Sequence, residues 1–269
     1  MFKQKPRIVV AIKTNDLDAL RISVPPLRRF ARKFILIIFN ANSENKLTRR
    51  MMRKIFPRGK VYVINSEHDV GELESMIKIT EFVQNNDILC DWIMFLNDCD
   101  ILIDFWVPNV GNNVFAIVQN ATTISESVTD IFKISPNWTR GAPIGKTEPG
   151  FAINGTMIRG NIMFEFMELM HDMIPQTLKI LAKTRYYVPI STMLWVGINA
   201  FMRIRHPNMS PIYMNRTNCV IVNLGHTTII NGQMIPNTAA AHKMVNSVIN
   251  QFAEMAENAA KQNMVAENL

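Results

Sequence analysis

The sequence predicts an α/β fold built on a mostly parallel, doubly wound sheet. Two observations carry this. Short apolar runs rich in β-branched residues alternate with helix-period segments through the first hundred residues. Each run also ends abruptly in polar residues, the pattern of strands buried on both faces and joined by right-handed crossovers.

The elements follow in order. Residues 8–12 form the first buried strand, and residues 16–33 carry helical spacing at Leu17, Leu20, Val24, Leu27 and Phe30. Pro25 and Pro26 predict a kink or break there. A second strand spans 34–39. Ser43 is suited to cap a basic helix reaching Phe56, which Pro57 and Gly59 stop. Strand 61–64, helix 71–84 and strand 92–96 complete the alternating part. Beyond it the pattern loosens. Strands are expected at 114–119, 151–158 and 219–224, and helices at 163–174 and 188–204. The long polar stretch 120–149 resembles active-site loops more than packing. A helix from 238 to 262 repeats Ala241, Val245, Val248, Phe252, Met255 and Ala259 in three- and four-residue steps, a stripe that either docks on its own domain or pairs with a second copy. Pro236 and Asn237 divide a domain of residues 1–235 from a helical tail of residues 236–269.

Composition narrows the class. At 48% hydrophobic and 19% charged over 269 residues, the chain has material for a core and is neither disordered nor collagen-like. Cys90, Cys99 and Cys219 are too few, and odd in number, for a disulfide scaffold, which favours a reducing compartment. No stretch matches a signal peptide or a membrane span. A soluble, cytoplasmic protein is the expectation, with the Asn-x-Ser/Thr triplets at Asn120, Asn137, Asn154, Asn208 and Asn215 arising by chance in an Asn-rich chain.

Charge is divided unevenly. Residues 1–60 hold 16 Lys and Arg against three acids, whereas the remainder holds 13 against 19. Arg28, Arg29, Arg32 and Lys33, then Arg49, Arg50, Arg53 and Lys54, concentrate on the first two helices. They form either a solvated basic face or one drawn to anionic lipid headgroups. Nucleic acid fits less well, because the stripe lacks interleaved aromatics. The 18 methionines lie mostly at apolar helical positions and read as core filler.

In doubly wound sheets ligands bind beyond the carboxyl ends of the strands. The fourth strand there runs directly into Asn97, Asp98, Cys99 and Asp100. Two carboxylates two residues apart share one face of a strand and suit a hard divalent cation such as Mn²⁺ or Mg²⁺. The other reading of Asp-x-Asp is a helix cap or turn.

With these residues in view, the chain resembles nucleotide-sugar-dependent glycosyltransferases of the GT-A fold, in particular the family 2 group. The likeness covers roughly residues 7–230. It rests on the strand order, Asp98 and Asp100 after the fourth strand, the segment 40–43, Asp69 and Gly71 before a helix, and the segment 151–159. The resemblance implies a GT-A, Rossmann-like sheet flanked by helices, a sugar donor on a nucleotide diphosphate (UDP above all), and a saccharide or lipid-linked acceptor. Asp100 would be the main metal ligand, and Asp98 would contact metal or ribose. Thr14, Asp16 and Asn40 would take base and ribose, with Lys13 or Arg21 near the phosphates. His226, after the late strand, is a third metal ligand under the resemblance, or a structural histidine at a strand end. The family's inverting members present a carboxylate pair at the start of the helix after the acceptor strand, as general base. Here that stretch, 188–195, contains no acid. Glu148, Glu165, Glu168 and Asp172 are the nearby alternatives, and a retaining enzyme needs no such base. Two other readings stay open: a nucleotidyltransferase that makes the sugar nucleotide, although residues 14–18 lack glycine, and a catalytically silent basic protein on the same fold.

Overall fold

The computed structural model describes residues 7–42, 44–98, 100–124, 147–149, 152–222, 229–230, 233–234 and 239–267. The chain begins with β1 (Ile8–Thr14), whose Val9, Val10, Ala11 and Ile12 are sealed from solvent on both faces, as a central parallel strand requires. Helix α1 (Leu20–Leu27) follows. It runs through Pro25 and Pro26 rather than breaking there, and the chain then tightens into a 3-10 turn over Arg28–Phe30. Next come β2 (Ile35–Asn40) and α2 (Arg49–Ile55), shorter than expected and capped by the hydroxyl of Thr48, which accepts from the Met51 N–H. Ser43, the expected cap, lies outside the described residues.

β3 (Lys60–Asn65), α3 (Glu72–Asn85) and β4 (Trp92–Asn97) complete the alternating half. The second half holds β5 (Ile101–Leu102), β6 (Val114–Ile124), β7 (Thr147–Pro149) and β8 (Met157–Arg159). It continues through α4 (Gly160–Asp172), α5 (Ile174–Leu181), α6 (Ile190–Arg205) and β9 (Ser210–Val222). It closes with the small hairpin β10 (Ile229–Ile230) and β11 (Gln233–Met234), then α7 (Ala239–Glu267).

The main sheet has the order β3-β2-β1-β4-β8-β6-β9-β5, with β7 paired to β6. β3, β2, β1 and β4 are parallel, β8 is inserted antiparallel between β4 and β6, and β9 runs parallel to β6. The strand expected over 151–158 is thus confined to its end. Before it, Gly155 adopts φ +77° and donates to the Phe95 carbonyl at 2.8 Å, a left-handed turn that glycine adopts readily. That turn sets Asn154 beside β4.

Two apolar layers cover the sheet. On one face α1 and α2 contribute Leu20, Val24, Leu27 and Met52, packed with Phe34 and Phe56. On the other, α3, α4, α6 and α7 contribute Ile79, Phe166, Phe201 and Phe252. The C-terminal stripe is therefore covered by the chain's own helices: Ala241, Val245, Val248, Phe252 and Ala256 are buried, and Phe252 seats against Gly197 where any Cβ would overlap its ring. Of the two readings of that stripe, docking on the chain's own domain is the one seen for these residues, and the helical tail shares a core with the rest of the chain. No described helix is long and apolar enough to cross a membrane.

Candidate active site

The first four strands end flush. Thr14 stands beside Asn40, Asn40 beside Asn65, and Lys13 beside Asn97. The carboxyl edge of the sheet is thereby lined with polar side chains directly above an apolar interior, the place where ligands bind in this architecture. Successive residues face opposite sides, so this edge has two halves.

On the α1 side, the Thr14 hydroxyl lies 2.9 Å from Asp98 Oδ2 and 2.7 Å from the Asp16 carbonyl, and it accepts from the Asp16 N–H. Thr14 is fully buried and Asp98 partly so, which fixes the Asp98 carboxylate at the rim of β1 and β4. Asp100 behaves differently. The chain leaves the strand at Asn97, so strand alternation does not aim the two acids together. Asp100 is 1% exposed; its Oδ2 accepts from the Asn97 N–H at 2.8 Å, and its own N–H donates to the Asn97 carbonyl. The tight turn it closes sits against Cys219, whose thiol is pushed well above the usual range by burial and by the Asp100 charge. The donor set on this turn is all carboxylate oxygen, which fits a hard divalent cation. Among the described residues no three His, Cys, Asp or Glu side chains converge. The third expected ligand, His226, lies outside the described residues. β9 nevertheless pairs Val220 with Ile101, so Val222 ends opposite the Asp98–Asp100 turn.

Several expected residues serve other ends. Asn40 is sealed from solvent, and its amide donates to the Asn45 carbonyl and Asn65 Oδ1 while its oxygen accepts from the Asn42 N–H. Its side chain fastens the β2–α2 loop and is spent there, not on a base or ribose. Asp16 is exposed and caps Asp18 N–H through Oδ1, and Arg21 is exposed and pairs with Asp18 at 3.2 Å. Glu148 pairs in register with Ala121 at the far end of β6; because Met157 pairs with both Met94 and Ile117, that position falls just past the level of Asn97. Asp172 is not brought to this edge. It is exposed at the end of α4, in a depression lined by Glu165, Glu168, Phe201, Arg205 and Asn263 on the helical layer. Glu165 there is engaged by Arg205 at 2.9 Å and His206 at 2.7 Å.

On the α3 side lies a cluster that sequence reasoning missed. Asn154 Nδ2 donates to Asn97 Oδ1 at 3.1 Å and to Glu72 Oε1 at 3.4 Å, and its backbone N–H donates to Ser191 Oγ at 3.1 Å. Asn154 is 9% exposed, and its Oδ1 is buried without a hydrogen-bond partner among the described residues. Burial pushes the Glu72 carboxyl up; Lys13 and the Asn154 amide offset part of that. Tyr187 is also raised, by burial and then by the Glu72 charge. β1, α3, the turn before β8 and the start of α6 therefore converge on one carboxylate beside the Asp98 rim.

The fold has parallels among solved structures. The chain superposes on GalNAc-T7, crystallised with UDP, GalNAc and Mn²⁺, with TM-score 0.52 over 90% of its length at 11% identity. The fold is GT-A. The chain spans about half, 48%, of that structure. A mannosyltransferase from Pyrobaculum calidifontis, in complex with GDP-Man and Mn²⁺, matches at TM-score 0.42 and 10% identity, covering 98% of this chain and 75% of that one. 4-Diphosphocytidyl-2C-methyl-D-erythritol synthase matches at TM-score 0.42 and 6% identity, covering 92% and 100%. Neither of these two is close enough to discriminate between activities. No protein-family model matches the chain. A protein of Aspergillus flavus named sterol 14-alpha demethylase is 27% identical over 213 residues, 70% of this chain; the chain spans 39% of that protein, and the named activity belongs to the longer relative.

Proposed function

We propose that the protein transfers a sugar from a nucleotide diphosphate donor, a UDP-sugar in the first instance, to a hydroxyl of a saccharide or lipid-linked acceptor. One observation carries the reading: the Thr14–Asp98 hydrogen bond fixes a carboxylate at the carboxyl edge of β1 and β4 in a GT-A sheet. Asp98 and Asp100 would hold a divalent cation, Mn²⁺ or Mg²⁺, which when bound neutralises charge on the departing diphosphate. The chain's own contribution is positional. Thr14 orients Asp98, the Asn97 N–H orients Asp100, and the buried interior below keeps the edge rigid. Lys13, at the strand end beside Asn97, adds positive charge to the other half of this edge, facing Glu72.

Contact with anionic lipid extends this reading. Arg49, Arg50, Arg53 and Lys54 are all exposed on α2, with Met51 44% exposed among them. Basic side chains around an exposed apolar one suit a surface of anionic headgroups, where a lipid-linked acceptor would reside.

Thermal-shift measurements with UDP, GDP and CMP, each with and without Mn²⁺, test the donor site, because a ligand bound to the native state raises apparent stability. A metal-dependent rise with a nucleoside diphosphate is expected. No shift with any of the three would overturn the reading. In turnover assays, release of diphosphate nucleotide rather than pyrophosphate separates sugar transfer from nucleotidyl transfer.

A further inference from the structure

We propose that Glu72, with Asn154, Ser191 and Tyr187, forms the acceptor site, and that the Glu72 carboxylate takes the proton from the attacking sugar hydroxyl. The assignment rests on the glycosyl-transfer reading. Its starting point is a gap: the helix start that the sequence resemblance expects to carry an acid carries Ser191 instead. The structure shows that Ser191 Oγ accepts from the Asn154 N–H, and that the same asparagine reaches Glu72 from its side-chain amide. A carboxylate from α3 thus stands next to the helix start that lacks one.

Three features make this cluster more than a satisfied polar core. Glu72 shares the strand edge with Asn97, the residue directly before Asp98, through the Asn154 bridge. A proton acceptor there sits on the acceptor side of the donor's rim. Second, Asn154 Oδ1 is buried with no hydrogen-bond partner among the described residues. An unpaired buried acceptor is costly, and a ligand hydroxyl relieves it. A sugar offers neighbouring hydroxyls, one to donate to Asn154 Oδ1 and another to donate to Glu72. Third, the phenol of Tyr187, half-buried just before α6, lies within electrostatic reach of the Glu72 carboxylate, which adds an aromatic ring to the neighbourhood.

The step balances without a further reactant. The acceptor oxygen forms a bond to the anomeric carbon as its proton passes to a Glu72 oxygen. The bond from that carbon to the phosphate oxygen breaks, and its electron pair leaves with the nucleoside diphosphate. The protonated Glu72 then releases its proton to solvent. A single displacement of this kind inverts the anomeric centre.

Burial favours the neutral form of Glu72 and Lys13 favours the charged form, so the group is held nearer to neutrality than an exposed glutamate. The charged and titratable groups facing it are Lys13 from β1 and Tyr187 before α6.

The test compares the full chain with its Glu72→Gln and Glu72→Asp variants. UDP affinity with Mn²⁺ is measured for each by calorimetry. Turnover is measured with UDP-glucose, UDP-galactose, UDP-N-acetylglucosamine and GDP-mannose over a panel of free saccharides. Glu72→Gln is expected to keep its UDP affinity and lose turnover by roughly 10²- to 10⁴-fold. Its residual rate should lack the acidic limb of the wild-type pH profile. Glu72→Asp should recover part of the rate, and the product should have inverted configuration. Four results overturn the proposal: wild-type turnover in Glu72→Gln, loss of UDP affinity in that variant, a product of retained configuration, or no turnover from any donor by a wild type that binds UDP. A wild type that does not bind UDP with Mn²⁺ overturns the underlying reading instead.

Discussion

Thr14 and Asp98 lie 84 residues apart in sequence and meet at 2.9 Å across adjacent parallel strands. The bond joins the last residue of the first strand to the acid after the fourth. In Thr14→Val the shape is kept and the donor is lost. Leaving a charged acceptor short of a donor should cost about 1–3 kcal/mol in urea unfolding. It should also weaken UDP binding in Mn²⁺ by about tenfold, equivalent to about 1.4 kcal/mol. Unchanged affinity would show that Asp98 needs no such tether.

Gly155 turns the chain at φ +77° and sets Asn154 in place. A Cβ at this position meets Cys219 Cβ at 3.6 Å, an ordinary contact, so the penalty of Gly155→Ala is conformational. We expect a stability loss of about 1–2 kcal/mol. Turnover should fall while UDP affinity stays, because Asn154 and not the Asp98 rim is disturbed. Equal losses in both would contradict the division of the edge into two halves.

Phe252 is sealed between α6 and α4 although it belongs to the C-terminal helix. Phe252→Ala should cost about 3–5 kcal/mol, and Gly197→Ala, which forces a methyl into the same ring, about 1–3 kcal/mol. A chain cut before Ala239 should expose this face and bind a hydrophobic dye. Wild-type stability after that truncation would mean that the helix is an independent appendage.

Glu72 gives stability a distinct pH dependence. Its pKa is raised in the folded chain, chiefly by burial. Stability from the neutral form is therefore complete below the unfolded value of about 4.3 and is lost as pH rises through the folded value. Glu72→Gln, which stays neutral, should be more stable than wild type at pH 7.5 and no more stable at pH 4. Urea midpoints at both pH values measure it. The same change should remove turnover, so that stability and activity move in opposite directions.

The basic face on α2 is tested by the quadruple variant with Arg49, Arg50, Arg53 and Lys54 each changed to Glu. Wild type should sediment with vesicles containing 30% phosphatidylglycerol, less so as salt rises, with about 1 kcal/mol contributed per basic residue near the surface. The variant should stay in the supernatant. Wild-type sedimentation with neutral phosphatidylcholine vesicles would contradict an electrostatic origin.

The parallel half of the fold was legible in the sequence because strands buried on both faces must be apolar throughout, as residues 8–12 and 92–96 are. The opening of β9 was not. Residues 210–218 mix Ser, Pro, Tyr, Asn, Arg and Thr, without an apolar run, and their pairing comes from β6, nearly a hundred residues earlier. The Asp98 rim followed from an acid directly after a buried strand. Glu72 did not, since a glutamate in the first turn of a helix is ordinarily a solvated acid favoured by the helix dipole. Its bond to Asn154 and its effect on Tyr187 arise only once the folded chain brings those residues near α3. Asn40 shows the converse: its place at a strand end was legible, but its use by Asn65 and Asn45 was not.

Calorimetric titration of UDP into the full chain, with Mn²⁺ and then with EDTA, tests the central claim most directly, with Asp98→Asn measured alongside. Binding in Mn²⁺ that disappears in EDTA and in Asp98→Asn is the predicted result. UDP binding that is indifferent to metal and to Asp98, or no binding at all, would contradict it.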